Sequence, residues 1–167
     1  KIPFSGRAHA YTDEEVATVV EAMQTASPLT QGKYLKAFED KFLRYIGAKN
    51  AFAVCNATCG LEMAAQLCQF QPGDEIIAPP HTFTSSVYPF LKKGAKVVWA
   101  DIDLKTHVVT PETIAPKITV KTRAIVVVHL YGYGVDMPGI MKLAKKHDLL
   151  VIEDAAQAIG SQYTGQT

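Results

Sequence analysis

The chain has 167 residues, 48% of them hydrophobic and 20% charged, which is the composition of an ordinary globular protein. A net charge of +1 provides no electrostatic footprint for nucleic acid, and no apolar run approaches the ~18 residues that span a bilayer. The N-terminus lacks an apolar secretory segment, and Cys55, Cys59 and Cys68 match neither a disulfide framework nor a metal-binding pattern. We therefore expect a cytoplasmic protein with free thiols, no bound metal, and no nucleic-acid or membrane partner.

Two helices are predicted before residue 50. Thr12-Asp13-Glu14-Glu15 is a capping box, and apolar residues follow it at helical spacing. Residues 27–32 interrupt this pattern. A second amphipathic stretch then runs through Leu35 and Phe42 and stops at Gly47.

From residue 50 onward, short apolar runs alternate with helical patterns. The predicted strands are residues 51–55, 75–78, 96–100, 124–129 and 149–153. The predicted helices are residues 58–70, about 82–92, a helix that starts at 110–112, and about 137–147. This alternation indicates an α/β protein with a mostly parallel sheet, in which ligands bind at the carboxyl ends of the strands.

The first two strand ends carry groups that suit an anion and a ring. Asn56-Ala57-Thr58 opens a helix whose first amides could bind an anion, with the Thr58 hydroxyl added; the alternative is that Asn56 or Thr58 only caps the helix. After residue 78, Phe83 could lie flat on a ligand ring, and His81 or the neighbouring hydroxyls could contact it. Phe83 as an ordinary core aromatic is the alternative.

The last two strand ends add a polar loop and a carboxylate. His129 precedes a loop that contains Tyr131 and two glycines, although a histidine in this position is often only structural. Asp154 ends an apolar strand, where a partly desolvated carboxylate is costly without a cationic partner. A protonated pyridine nitrogen is such a partner, and the alternative is that Asp154 caps the next turn. Together, the four strand ends predict a cofactor site.

These motifs resemble the DegT/StrS group of nucleotide-sugar aminotransferases, which use pyridoxal 5'-phosphate (PLP) and have the aspartate-aminotransferase fold, type I. The resemblance runs from Leu29 to the last residue and is most specific at its closing motif, Ile152-Glu153-Asp154-Ala155-Ala156-Gln157. The matching stretches are residues 29–32, 38–39, 56–58, 72–77, 82–83, 94–95, 101–103, 129–132 and 152–157.

The resemblance implies a role for each cofactor-binding residue. Ala57 and Thr58 would hold the phosphate, and Phe83 would stack on the pyridine ring. Asp154 would pair with the ring nitrogen as the catalytic carboxylate, and Gln157 would bond near the ring hydroxyl. Secondary or substrate contacts are expected from the remaining polar residues at the strand ends, namely His81, His129 and Tyr131.

The implied fold is a three-layer α/β/α arrangement that makes up part of a larger domain. We expect residues 1–32 to form an N-terminal helix and interface segment, and residues 33–167 to form the N-terminal part of the PLP-binding domain, without a C-terminal domain. The lysine that binds PLP covalently in the family follows the aspartate. Lys146, the last of fourteen lysines, precedes Asp154, so we expect that lysine to lie outside this chain.

The resemblance implies transfer of an amino group from glutamate or glutamine to a nucleotide-linked keto sugar, by a homodimer with a shared active site. A first alternative is a sugar dehydratase or a regulatory PLP protein of the same fold. A second is a non-catalytic, doubly wound nucleotide- or partner-binding module. The absence of Gly-x-Gly-x-x-Gly and Gly-x-x-x-x-Gly-Lys-Ser/Thr loops disfavours this second alternative.

Overall fold

The structure, a computed structural model, describes residues 10–163, so the first nine residues of the predicted N-terminal segment and residues 164–167 lie outside it. The chain divides into two compact units, one ending at Ala53 and the other beginning at Val54. In the described part of the chain, no helix combines the length and the apolar character needed to cross a membrane.

The first unit contains the two predicted helices, α1 (Asp13–Thr25) and α2 (Lys33–Ile46). The capping box forms as expected: the Glu15 amide donates to the Thr12 hydroxyl at 3.2 Å, and the Thr12 amide donates to the Glu15 carboxylate at 2.7 Å. α2 ends at Gly47, whose φ of 66° is a left-handed conformation that glycine adopts at little cost. Both helix predictions are confirmed.

The second unit is a four-stranded parallel sheet with helices between the strands. Its strand order is β2-β1-β3-β4, and every neighbouring pair is parallel, as predicted. The helices and strands in chain order are α3 (Ala57–Leu67), β1 (Glu75–Ala78), α4 (Tyr88–Lys92), β2 (Lys96–Trp99), α5 (Pro111–Ile114), β3 (Thr122–Val128), α6 (Met137–His147) and β4 (Leu150–Asp154). Short 3-10 turns cover Thr84–Ser86, Ala115–Lys117 and Leu130–Gly132.

Two apolar cores lie on opposite faces of this sheet, because successive strand residues face opposite sides. Val126 of β3 packs in one core with Leu61 of α3 and Phe90 of α4. Ile125 packs in the other core with Ile140 of α6. Each such side chain, when fully buried, contributes about 1.5–3 kcal/mol to folding. Helices therefore cover both faces, which confirms the three-layer α/β/α fold.

Two predicted elements differ from the observed ones. Residues 51–55 form no strand, and Phe52 is 77% exposed. A strand needs a neighbour for its backbone hydrogen bonds, and neither edge of the described sheet pairs with this run. The predicted helix at 82–92 is divided into a 3-10 turn and α4, with Val87 between them at φ −125° and ψ −33°.

Candidate cofactor site

A cavity of about 270 Å³ lies at the carboxyl ends of β3 and β4, beside the start of α3. The five residues predicted for the cofactor are all in its lining, although they lie far apart in the sequence: Ala57, Thr58, Phe83, Asp154 and Gln157. This position agrees with the rule that open parallel sheets bind ligands outside the carboxyl ends of their strands.

The start of α3 borders the cavity. Asn56 is the N-cap, and its side-chain oxygen accepts the Cys59 amide at 3.0 Å. Across the described residues, no acceptor is found for the amides of Ala57 and Thr58. The Thr58 hydroxyl donates to the Ser85 hydroxyl at 2.9 Å. Asn56 is thus a cap, and two amides remain that suit an anion.

The thiols near this helix start form a pair. The sulfur atoms of Cys55 and Cys59 are 3.3 Å apart. Their hydrogen bond, more than burial, raises the pKa of the Cys59 thiol above its usual value. At neutral pH the Cys59 thiol is therefore neutral. It adds no negative charge near the amides of Ala57 and Thr58, which form the anion-binding end of the cavity.

Asp154 ends β4 and is held by two neutral donors. Its Oδ2 accepts the Ser86 hydroxyl at 2.6 Å, and its Oδ1 accepts the Ala156 amide at 3.1 Å. The side chain is half-buried, and no described cation forms an ion pair with it. The contact with Ala156 is the turn cap considered as an alternative, and it leaves the carboxylate without a counter-charge. A protonated ring nitrogen would supply that charge.

Phe83 and Gln157 contribute a ring face and an amide. Phe83 is 71% exposed although it lines the cavity, so it is not the core aromatic considered as an alternative. The Gln157 Oε1 accepts the backbone amide of Tyr131 at 2.9 Å, which leaves the Gln157 NH₂ group as a donor. Tyr131 has a φ of 55°, an uncommon conformation for a residue other than glycine, and this bond helps to maintain it.

Of the three residues expected to make secondary or substrate contacts, one lines the cavity and two do not. His129 is 8% exposed and lines the cavity. Its Nδ1 accepts the Val135 amide at 3.1 Å, so its Nε2 carries the proton and donates to Glu153, also at 3.1 Å. With both nitrogens bonded, His129 fixes the loop that follows β3. The rings of His81 and Tyr131 meet edge-on with centroids 6.2 Å apart, and neither residue is among those that line the cavity.

Sequence reasoning treated the hydroxyls that follow β1 as a group and missed their separate contacts. Ser85 bonds to Thr58 at the anion-binding end, whereas Ser86 bonds to Asp154. The available signal was the spacing of Thr82 and Ser86, which are four residues apart and whose hydroxyl oxygens are 2.6 Å apart. No local pattern identifies Asp154 as the partner of Ser86.

The sequence matches the model of the DegT/DnrJ/EryC1/StrS aminotransferase family over residues 10–167. The chain belongs to this family. Among curated relatives of the family, it is 39% identical over 148 residues to GDP-perosamine synthase from Caulobacter vibrioides, with 89% of this chain and 40% of that protein covered. It is 38% identical over 152 residues to the pleiotropic regulatory protein of Geobacillus stearothermophilus, covering 91% and 41% of the two chains. The chain therefore spans about two fifths of the length of these relatives.

Solved structures of aminotransferases and of a cofactor-bound protein share the fold. An aminotransferase from Psychrobacter cryohalolentis matches with a TM-score of 0.89 at 40% identity, over 99% of this chain and 42% of that one. NtdA from Bacillus subtilis, solved with bound pyridoxamine phosphate, matches with a TM-score of 0.82 at 32% identity, over 92% of this chain and 36% of that one. The fold is thus that of PLP-dependent transferases of fold type I, and the cofactor of this family is pyridoxal phosphate.

The residues around the cavity fit such a cofactor. The two α3 amides suit a phosphate, and the exposed face of Phe83 suits a planar ring. The Asp154 carboxylate, which lacks a cationic partner among the described residues, suits a protonated ring nitrogen. The Gln157 NH₂ group, for which the described part of the chain provides no acceptor, suits a ring oxygen.

Proposed function

We propose that the full-length protein is a PLP-dependent sugar aminotransferase, and that this chain provides the ring-binding and phosphate-binding side of its active site. The observation that supports this most is the Asp154 carboxylate, which lines the same cavity as the free amides of Ala57 and Thr58. A helix start that suits an anion, and a carboxylate that has no cationic partner among residues 10–163, lie in one cavity and suit a ligand that carries a phosphate and a cationic ring nitrogen.

At the anion-binding end, the amides of Ala57 and Thr58 would bind the phosphate, helped by the positive end of the α3 dipole. Asn56 keeps the Cys59 amide bonded at 3.0 Å, so the helix start is fixed before any ligand arrives. Thr58 and Ser85 add hydroxyls that can rotate to donate to phosphate oxygens.

At the ring-binding end, Phe83 would cover one face of the pyridine, and the Gln157 NH₂ would donate to the ring oxygen. Asp154 would hold a proton on the ring nitrogen. When bound, the cofactor supplies a ring that accepts electrons from the substrate, and that capacity depends on the protonated nitrogen. His129 does not contact substrate in this proposal, because both of its nitrogens are bonded; it positions the loop that carries Tyr131.

For the whole protein, we propose a nucleotide-linked keto sugar as the amino acceptor, glutamate or glutamine as the donor, and a homodimer with a shared site. A relative named GDP-perosamine synthase supports the acceptor. A second candidate, a PLP-binding regulatory protein, is favoured by the relative named as a pleiotropic regulatory protein.

The test uses the full-length protein and PLP. The wild type should acquire the absorbance of bound PLP. Asp154→Asn should bind PLP roughly tenfold to a hundredfold more weakly, because a hydrogen bond to a charged group is worth about 1.5–3 kcal/mol. Asp148→Asn is the matched control, since it makes the same change at the opposite end of β4, where asparagine suits the left-handed Asp148 conformation (φ 55°). Equal PLP affinity in wild type and Asp154→Asn would contradict the assigned role.

The amino transfer itself is tested with protein loaded with pyridoxamine phosphate. Addition of a GDP- or UDP-linked keto sugar should return the absorbance of PLP and yield an amino sugar by mass spectrometry. A protein that binds PLP but converts none of these sugars, with glutamate or glutamine present, would instead support the regulatory candidate.

A further inference from the structure

Ser86 is a fully buried hydroxyl at the ring-binding end of the cavity. It is 0% exposed, belongs to the 3-10 turn between Phe83 and α4, and lies 2.6 Å from Asp154 Oδ2. Ser86 and Asp154 are 68 residues apart in the sequence, so their contact depends on the packed sheet rather than on a local turn.

The direction of each hydrogen bond follows from the chemistry of the groups. An ionised carboxylate only accepts, so the single Ser86 hydroxyl proton goes to Asp154. Thr82, whose Oγ1 is 2.6 Å from the Ser86 oxygen, must then donate to Ser86. The result is a relay from Thr82 through Ser86 to Asp154, in which each bond polarises the next.

The relay also limits how the carboxylate can turn. Asp154 Oδ2 is held by Ser86 from the segment that follows β1, and Oδ1 is held by the Ala156 amide from the turn that follows β4. Because the two oxygens are held by two different parts of the chain, rotation of the carboxylate group is restricted before any ligand binds. A carboxylate that must keep one proton on a ring nitrogen requires such preorganisation.

We propose that Ser86, supported by Thr82, is a positioning residue that orients Asp154 so that the bound cofactor keeps a protonated ring nitrogen. This inference rests on the proposed function, since it needs a pyridine nitrogen opposite Asp154. In the absence of the Ser86 hydroxyl, the carboxylate can turn away, and the ring nitrogen holds its proton less well.

The experiment reports whether the ring nitrogen of the bound cofactor is protonated. Full-length apo-protein is loaded with PLP labelled with ¹⁵N in the ring, and the ¹⁵N chemical shift is recorded at neutral pH. In the wild type we expect the shift of a protonated ring nitrogen. Ser86→Ala should move it toward the neutral position and raise the PLP dissociation constant about fivefold, the equivalent of one ordinary hydrogen bond. Ser86→Thr, which keeps the hydroxyl, should restore the wild-type shift.

Two further variants separate orientation from folding. Thr82→Val leaves the Ser86 donor in place and removes only its support, so the ¹⁵N shift should move in the same direction by a smaller amount. Ser85→Ala removes the neighbouring hydroxyl at the anion-binding end, so PLP binding should weaken while the ¹⁵N shift stays that of the wild type.

The outcomes are distinguishable. A wild-type shift in Ser86→Ala, with only a lower melting temperature, would show that Ser86 is merely structural and overturn the inference while leaving the proposed function intact. Should Ser86→Ala fail to fold, a wild-type shift in Thr82→Val would overturn it instead. Absence of bound cofactor in the wild type would refute the proposed function and, with it, this inference.

Discussion

Two glycines near helix starts should respond in opposite ways to the same substitution. Gly139 is in the first turn of α6, and a Cβ added there would lie 2.5 Å from Asp136 Oδ2 and 2.7 Å from Pro111 Cγ. Gly60 is near the start of α3, and its added Cβ would meet only Val54 Cγ2, at an ordinary 3.7 Å.

The sizes of the opposing effects decide whether alanine raises or lowers the free energy of unfolding at each position. Replacing a helical glycine with alanine normally stabilises by about 0.8–1.0 kcal/mol. At Gly139, overpacking costs about 1–3 kcal/mol, and displacing the Asp136 cap, which accepts the Gly139 amide at 3.1 Å, costs about 1 kcal/mol more. We therefore expect Gly139→Ala to destabilise by about 1–3 kcal/mol, and Gly60→Ala to stabilise by up to about 1 kcal/mol.

The assay is urea denaturation of the two full-length variants beside the wild type, followed by circular dichroism. The denaturation midpoint should fall for Gly139→Ala and stay level or rise for Gly60→Ala, with unchanged slopes. Midpoints that move together would refute the reasoning, because helix propensity alone treats the two positions alike.

Two more predictions concern the cap of α3 and a surface loop. Asn56→Ala should cost about 1 kcal/mol in urea denaturation; Asn56→Asp should keep that stability yet weaken PLP binding in calorimetry, because it adds an anion beside the phosphate. The amides of Thr106 and then Lys105 lower the pKa of Asp103 below its ordinary 3.8. Asp103 therefore stabilises the fold above that value, and the urea-midpoint advantage of wild type over Asp103→Asn should vanish as the pH falls through the lowered pKa.

Features set by neighbouring residues in the sequence were predictable. The capping box at Thr12, the left-handed stop at Gly47 and the extent of α6 depend on side chains within one or two helical turns. The alternation of strands and helices predicted a site at the carboxyl ends of the strands. The cavity lies there, and residues as distant as Ala57 and Asp154 line it.

Features set by distant residues were not predictable. Residues 51–55 are apolar enough for a strand, but a strand forms only beside a partner, and the sequence does not show which partners are near. The contact between Ser86 and Asp154 likewise depends on the order β1-β3-β4 across the sheet. The break at Val87 is different, because its cause is local: Pro89, two residues later, cannot donate a backbone hydrogen bond within the turn.

The long sequence separation of the contacts around the cavity has a consequence for folding kinetics. Thr58 reaches Ser85 across 27 residues, and Ser86 reaches Asp154 across 68, so the site is complete only after β4 has docked against β3. Contacts of this kind form late, because closing the intervening loops costs entropy first. A cofactor that needs both ends of the cavity would therefore bind the folded sheet rather than nucleate it, and its binding would slow unfolding.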